Sequence, residues 1–166
     1  MNITDWKTAI IGLIVILVCI SPIIIMVQYR AIKTKKMLQS LHKIAQQQNC
    51  KISQHEFCSD FVLGIDEVKK FVFFHKHRKE NSISQYVNLA NIQTCKVVKQ
   101  SRTVKMGSDS MSMISRLELS FIPTSKNQEE QNFLLFDEEI NKQLSGELQF
   151  SEKWSQIING YLGNKK

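Results

Sequence analysis

Two prolines in 166 residues are too few for a disordered or low-complexity chain, and the apolar residues recur too regularly for one. Cysteine is nearly as sparse: Cys19, Cys50, Cys58 and Cys95 include no CxxC pair. Cys19 lies inside an apolar run, and the other three cannot all pair internally. A disulfide framework is thereby excluded, and the count suits a reducing compartment. No P-loop, dinucleotide fingerprint or Gly-x-Ser-x-Gly elbow occurs, and Asp109 between two serines has no evident His partner. The sequence therefore points to no reaction, and no cofactor is expected.

Charge is missing from two further places. Residues 8–27 carry none, and at 1.5 Å per residue such a helix spans about 30 Å, the thickness of a bilayer core. Ser21-Pro22 inside the run is tolerated in lipid, and Trp6 and Tyr29 stand at its ends as interfacial aromatics. A cleaved signal peptide would have a shorter apolar core and an Ala-x-Ala exit, and lipoprotein processing would need a small residue where Val18 precedes Cys19. From residue 28 to 51 acids are absent while six bases occur. Arg30, Lys33, Lys35 and Lys36 follow the span closely, against Asp5 and Lys7 before it, so the cation-rich flank marks the cytoplasmic side. The expectation is a single-pass protein of the cell (inner) membrane, with its N-terminus outside and its C-terminal domain in the cytoplasm.

The formal net charge of +7 is distributed in blocks. Residues 52–67 hold four acids and no base, residues 68–108 nine bases against Glu80, and the remainder nine acids against six bases. The length leaves room for an anchor (residues 1–28), a basic connector (29–51) and one globular domain (52–166). The connector lacks Gly and Pro through residue 48 and is rich in helix formers. Ala31, Leu38 and Ala45, with Thr34, Leu41 and Gln48 between them, form a short heptad pattern. It reads either as a solvated stalk whose Leu38, Leu41 and Ile44 rest on the domain or as a parallel homodimer seam. Its cations would contact anionic head groups.

Past Ile52 the hydrophobic period becomes two. Phe61-Val62-Leu63-Gly64-Ile65 and Lys69-Lys70-Phe71-Val72-Phe73-Phe74-His75 flank the polar turn Asp66-Glu67, which is a hairpin signal. Short runs follow at residues 86–89 and 94–99. Residues 100–112, with four serines and Gly107, read as a long loop or hairpin tip. In residues 116–121, Leu117, Leu119 and Phe121 are expected to face the core, and Arg116, Glu118 and Ser120 water. A last strand covers residues 133–136. Phe150, Trp154, Ile157, Ile158 and Tyr161 then recur at helical spacing, giving an amphipathic helix over residues 147–162. The fold class is mainly β with α: about six or seven antiparallel strands in a bent sheet or small barrel, capped by the C-terminal helix.

This order resembles the pleckstrin-homology-like superfamily, including its bacterial and GRAM-type branches. Phe61-Val62-Leu63-Gly64-Ile65-Asp66 with Lys70-Phe71-Val72-Phe73-Phe74 is similar to that family's first hairpin. Residues 86–92 resemble the lead into its long following strand, and Glu152-Lys153-Trp154 with Ile157-Ile158 its capping helix. The resemblance covers residues 53–162 and implies two curved antiparallel sheets closed by a helix. Lipid-binding members grip phosphoinositides with basic residues in the first hairpin turn. Here that turn is Asp66-Glu67, so no inositol-phosphate site is carried over.

The densest polar feature is His75-Lys76-His77-Arg78-Lys79. It reads as a solvated loop, as an anion-contacting or membrane-facing loop, or as a two-histidine start to a metal site that lacks a third ligand. Convergence with Lys96, Lys99, Arg102 and Lys105 would make a basic face that attracts phosphate groups. Nucleic acid is not expected, since no groove-reading or stacking motif exists. Cys58 and Cys95 are expected in the core. The partners implied are the bilayer through residues 8–27, an unidentified protein met at a strand edge or at the basic face, and anionic lipid.

Overall fold

The computed structural model describes residues 3–78, 81–106, 109–141 and 143–163. The chain divides into two compact units, Met1–Lys36 and Met37–Lys166, and helix α1 (Ile3–Gln47) contributes to both. In the first unit every described side chain between residues 9 and 30 is exposed, and this helix is long and apolar enough to cross a membrane. Pro22 lies inside it, and the Ser21 hydroxyl donates to the Val18 carbonyl at 3.1 Å, a back-bond within the helix next to the proline.

In the second unit α1 ends on chemistry written in the sequence. Asn49 adopts φ +54° and the Cys50 N–H donates to the Ala45 carbonyl at 2.8 Å, the six-to-one bond of a Schellman end, where Asn is second choice to Gly. Strands β1 (Gln54–Cys58), β2 (Phe61–Asp66), β3 (Phe71–Lys76) and β4 (Ile83–Asn88) follow as an antiparallel meander in that order. A 3-10 turn at Leu89–Asn91, capped by the Asn88 side chain on the Ala90 N–H at 2.9 Å, leads to a second meander. It comprises β5 (Ile92–Met106), β6 (Asp109–Pro123) and β7 (Gln131–Asp137), and helix α2 (Glu147–Gly163) completes the unit.

β2 and β3 are buried on both faces, which explains their nearly continuous apolar text. Phe61, Leu63, Ile65, Val72 and Phe74 join Leu117, Leu119, Phe121, Phe133 and the α2 stripe of Phe150, Trp154 and Ile158 in the main core. Val62 and Phe73 point the other way, against Met37, Leu41 and Ala45 of α1. Of the stalk residues expected to rest on the domain, Ile44 packs at the margin of this second cluster and Leu38 is half-buried. Leu41 and Ala45, two positions of the heptad, are buried here and are not free for a partner helix.

Four expectations are corrected. The strands do not form a closed barrel: two separate sheets of four and three strands are present. Closure fails at β5 because Asn159 of α2 occupies its edge, accepting from the Cys95 N–H at 2.9 Å and donating to the Cys95 carbonyl at 2.7 Å. Of the two readings of residues 100–112, the hairpin holds and the long loop does not, since β5 and β6 pair out to Met106 and Asp109; serines, Gly107 and charges between the apolar residues gave the stretch the composition of a loop. Glu118 and Ser120 are 8% and 2% exposed, because Arg116 bonds the Glu118 carboxylate at 2.7 Å and Ser120 donates to Glu130 at 3.1 Å. Finally, β3 continues past His75 to include Lys76, and both are buried rather than in a solvated loop.

Candidate functional site

Among the described residues, the cations whose convergence would make a basic face fall on different surfaces. Lys76 ends β3 with its side chain fully buried, and its ammonium donates to the Leu135 carbonyl at 2.6 Å and the Leu134 carbonyl at 3.4 Å, both in β7. Asp60 stands 3.6 Å away as counter-ion and the Phe61 ring centroid at 5.8 Å. Burial pushes the Lys76 pKa down, opposed by Asp60. This lysine ties one sheet to the other and offers nothing to solvent. His75 accepts or donates at the Ser84 hydroxyl, 2.8 Å from Nδ1, and burial, then the charge of His77, lowers its pKa. Arg78 is half-buried, and Lys79 lies outside the described residues.

Along β5, alternation places Lys96 and Arg102 on one face and Lys99 and Lys105 on the other. Lys99 pairs with Glu152 at 2.8 Å and Arg102 with Glu138 at 2.7 Å. Lys96 and Lys105 are exposed, with no ion pair among the described residues. On α1, Trp6, Tyr29, Arg30, Lys35 and Lys36 are exposed and Lys33 is half-buried.

The Asp66-Glu67 turn has a structural reason for its acid. Asp66 accepts from the Lys51 N–H at 2.8 Å and from the Val68 and Lys69 N–H groups at 2.9 Å each. Burial works to raise its pKa, but these backbone donors and the Cys50 thiol outweigh burial and lower it.

Burial pushes the thiols of Cys58 and Cys95 up to about 12, so neither is a thiolate at neutral pH. No group of three metal-ligating side chains occurs among the described residues.

An unfilled place exists between the sheets. Two clefts, of about 480 and 510 Å³, open where β4 faces the start of β7. Tyr86 and Gln131 line both, with Asn91 and Glu129 at one end and Ser84 and Asn132 at the other. Gln85 stands in register with the core residue Phe74 and so points inward, yet it is exposed. An inward side chain meets solvent only where the core has no wall. The β4 main chain pairs with β3 on one side, and among the described residues nothing caps its other side as Asn159 caps β5. Sequence reasoning named a strand edge in general but not this one. Its signal was the polar Gln85 between Ile83 and Val87, at a position whose alternation with those two promises burial. No protein-family model, curated protein or solved structure matches the chain.

Proposed function

We propose that this chain is a membrane-tethered, non-enzymatic binding module of pleckstrin-homology-like type that captures an extended polypeptide between β4 and β7. The observation that carries this reading is the solvent-exposed inward residue Gln85 beside an uncapped strand edge. A guest strand laid on β4 would satisfy its free N–H and C=O groups, supply the missing wall, and find Gln131 and Asn132 of β7 on its far side. Support for the fold type comes from the order of a four-stranded meander, a three-stranded meander and a C-terminal helix. Support for the anchor comes from the uncharged span, and for a cytoplasmic domain from Arg30, Lys33, Lys35 and Lys36. Anchoring confines the module near other membrane proteins and raises their effective concentration, so a modest strand interface suffices.

Photo-crosslinking in intact cells tests this. A photoreactive residue at position 85 or 131 is expected to trap a cytoplasmic polypeptide, and one at position 68, in the exposed β2–β3 turn, is not. A synthetic peptide of the trapped segment should then slow amide exchange over residues 83–88. Equal trapping from position 68, or no slowing, defeats the strand-addition reading, and an exported partner reverses the orientation.

A further inference from the structure

The β5–β6 hairpin outruns its sheet. β7 pairs with Arg116–Phe121, so residues 101–106 and 109–114 form a two-stranded ribbon with no third strand among the described residues. Register sorts its side chains into two faces. Arg102 pairs with Met113 and Val104 with Met111 on one; Thr103 pairs with Ser112 and Lys105 with Ser110 on the other. The first face is apolar with an arginine at its base, and the second is hydroxyl-rich with a lysine. Met111 and Met113 are 59% and 46% exposed. A lone two-stranded ribbon has little stability in water, and unbranched, adaptable methionines side by side on it keep about half their surface uncovered by the described residues.

We infer that the apolar face of this ribbon, Val104, Met111 and Met113, dips into the surface of an anionic bilayer, with Arg102 and Lys105 meeting the head groups. This rests on the membrane tether proposed above and concerns a different surface from the β4–β7 opening. Charge complementarity selects the occupant. Between Lys99 and Arg116 the sequence holds two further cations against Asp109 alone, and cations close to an anionic surface are drawn to it. The Arg102–Glu138 pair is solvent-exposed on the arginine side and holds the guanidinium too loosely to prevent a second contact. The connection is short: ten residue steps of helix α1 separate Val27, the end of the uncharged run, from Met37, the start of the globular unit, a rise of about 15 Å. Two methionines and a valine would not hold a free protein on a membrane. For a tethered one the contact is intramolecular, and it serves as a second attachment that restrains how the module turns.

The test uses the full chain in vesicles of phosphatidylcholine with or without phosphatidylglycerol. An environment-sensitive fluorescent residue is placed at position 111 or, on the opposite face, at position 112. With phosphatidylglycerol present, the probe at 111 should shift to the blue and be quenched by brominated lipid more strongly than the probe at 112. Lys105→Glu with Met113→Asp should abolish the quenching without moving the thermal unfolding midpoint. Equal quenching at 111 and 112, or none, overturns the inference; quenching unchanged without phosphatidylglycerol overturns its anionic selectivity; a blue shift without quenching assigns the face to a second copy and overturns it too. Alkaline extraction reads the tether separately. A chain that washes off at high pH yet shows quenching at 111 sinks the anchor and leaves the ribbon contact standing.

Discussion

The Lys76 ammonium sits among two main-chain carbonyls, a carboxylate and an aromatic ring, and no water-exposed path is needed to satisfy it. Lys76→Met would keep the volume of the stem but leave the Leu134 and Leu135 carbonyls unmet and Asp60 without its counter-ion. Removing one member of a buried ion pair typically costs 3–5 kcal/mol. Asp60 keeps 17% of its side chain in solvent, so a loss of about 3 kcal/mol in urea unfolding is expected. Lys76→Met combined with Asp60→Asn should recover part of that, because the stranded charge is gone. A single-variant loss under about 1 kcal/mol would mean that water reaches these carbonyls and that the lysine does not tie the sheets. Nothing in the run from His75 to Lys79 reveals this role: a lysine's stem length lets it cross between sheets, and only the tertiary position of β7 decides whether it does.

At the scale of elements, the β2–β3 hairpin and α2 were legible because each has a strong period and a clear terminus, whereas β1 was not. Its Gln54-His55-Glu56-Phe57-Cys58 text is half-exposed on an outer strand and lacks alternation. The connector shows a subtler difference. Its heptad places Ala31, Leu38 and Ala45 in line, but the buried stripe is Met37, Leu41 and Ala45, spaced by four as a helix resting on a sheet requires. The resting place is shaped by Gly64, where a Cβ would come within 3.0 Å of both Leu41 Cδ2 and Ile52 Cγ2. Gly64→Val is therefore expected to destabilise the globular unit by about 1–3 kcal/mol through overpacking. Adding Leu41→Ala, which alone should cost about 2–5 kcal/mol, makes room for the valine. The double variant should consequently lose less than the two single losses added together, as read from urea midpoints. Strict additivity would show that α1 does not bear on Gly64.

At the scale of the molecule, the change of hydrophobic period at Ile52 marks where strands begin, but the compact unit starts at Met37. The sequence could not disclose that difference, because whether Val62 and Phe73 face water or a helix depends on which side of the first sheet α1 covers. Their burial makes residues 37–47 part of the fold rather than a spacer. Fully burying each of Leu41, Val62 and Phe73 stabilises by about 1.5–3 kcal/mol relative to exposure, a sum comparable to the whole stability of a small domain. A chain beginning at residue 37 is thus expected to be monodisperse by size-exclusion chromatography and to unfold in one cooperative step. A chain beginning at residue 52 uncovers Val62 and Phe73 together with their half-buried neighbours Phe57 and Phe71, a contiguous apolar patch of the kind that drives association. It should aggregate, or unfold at much lower urea. If both fragments behaved alike, α1 would be dispensable to the sheet, and the connector would return to being a plain stalk between anchor and domain.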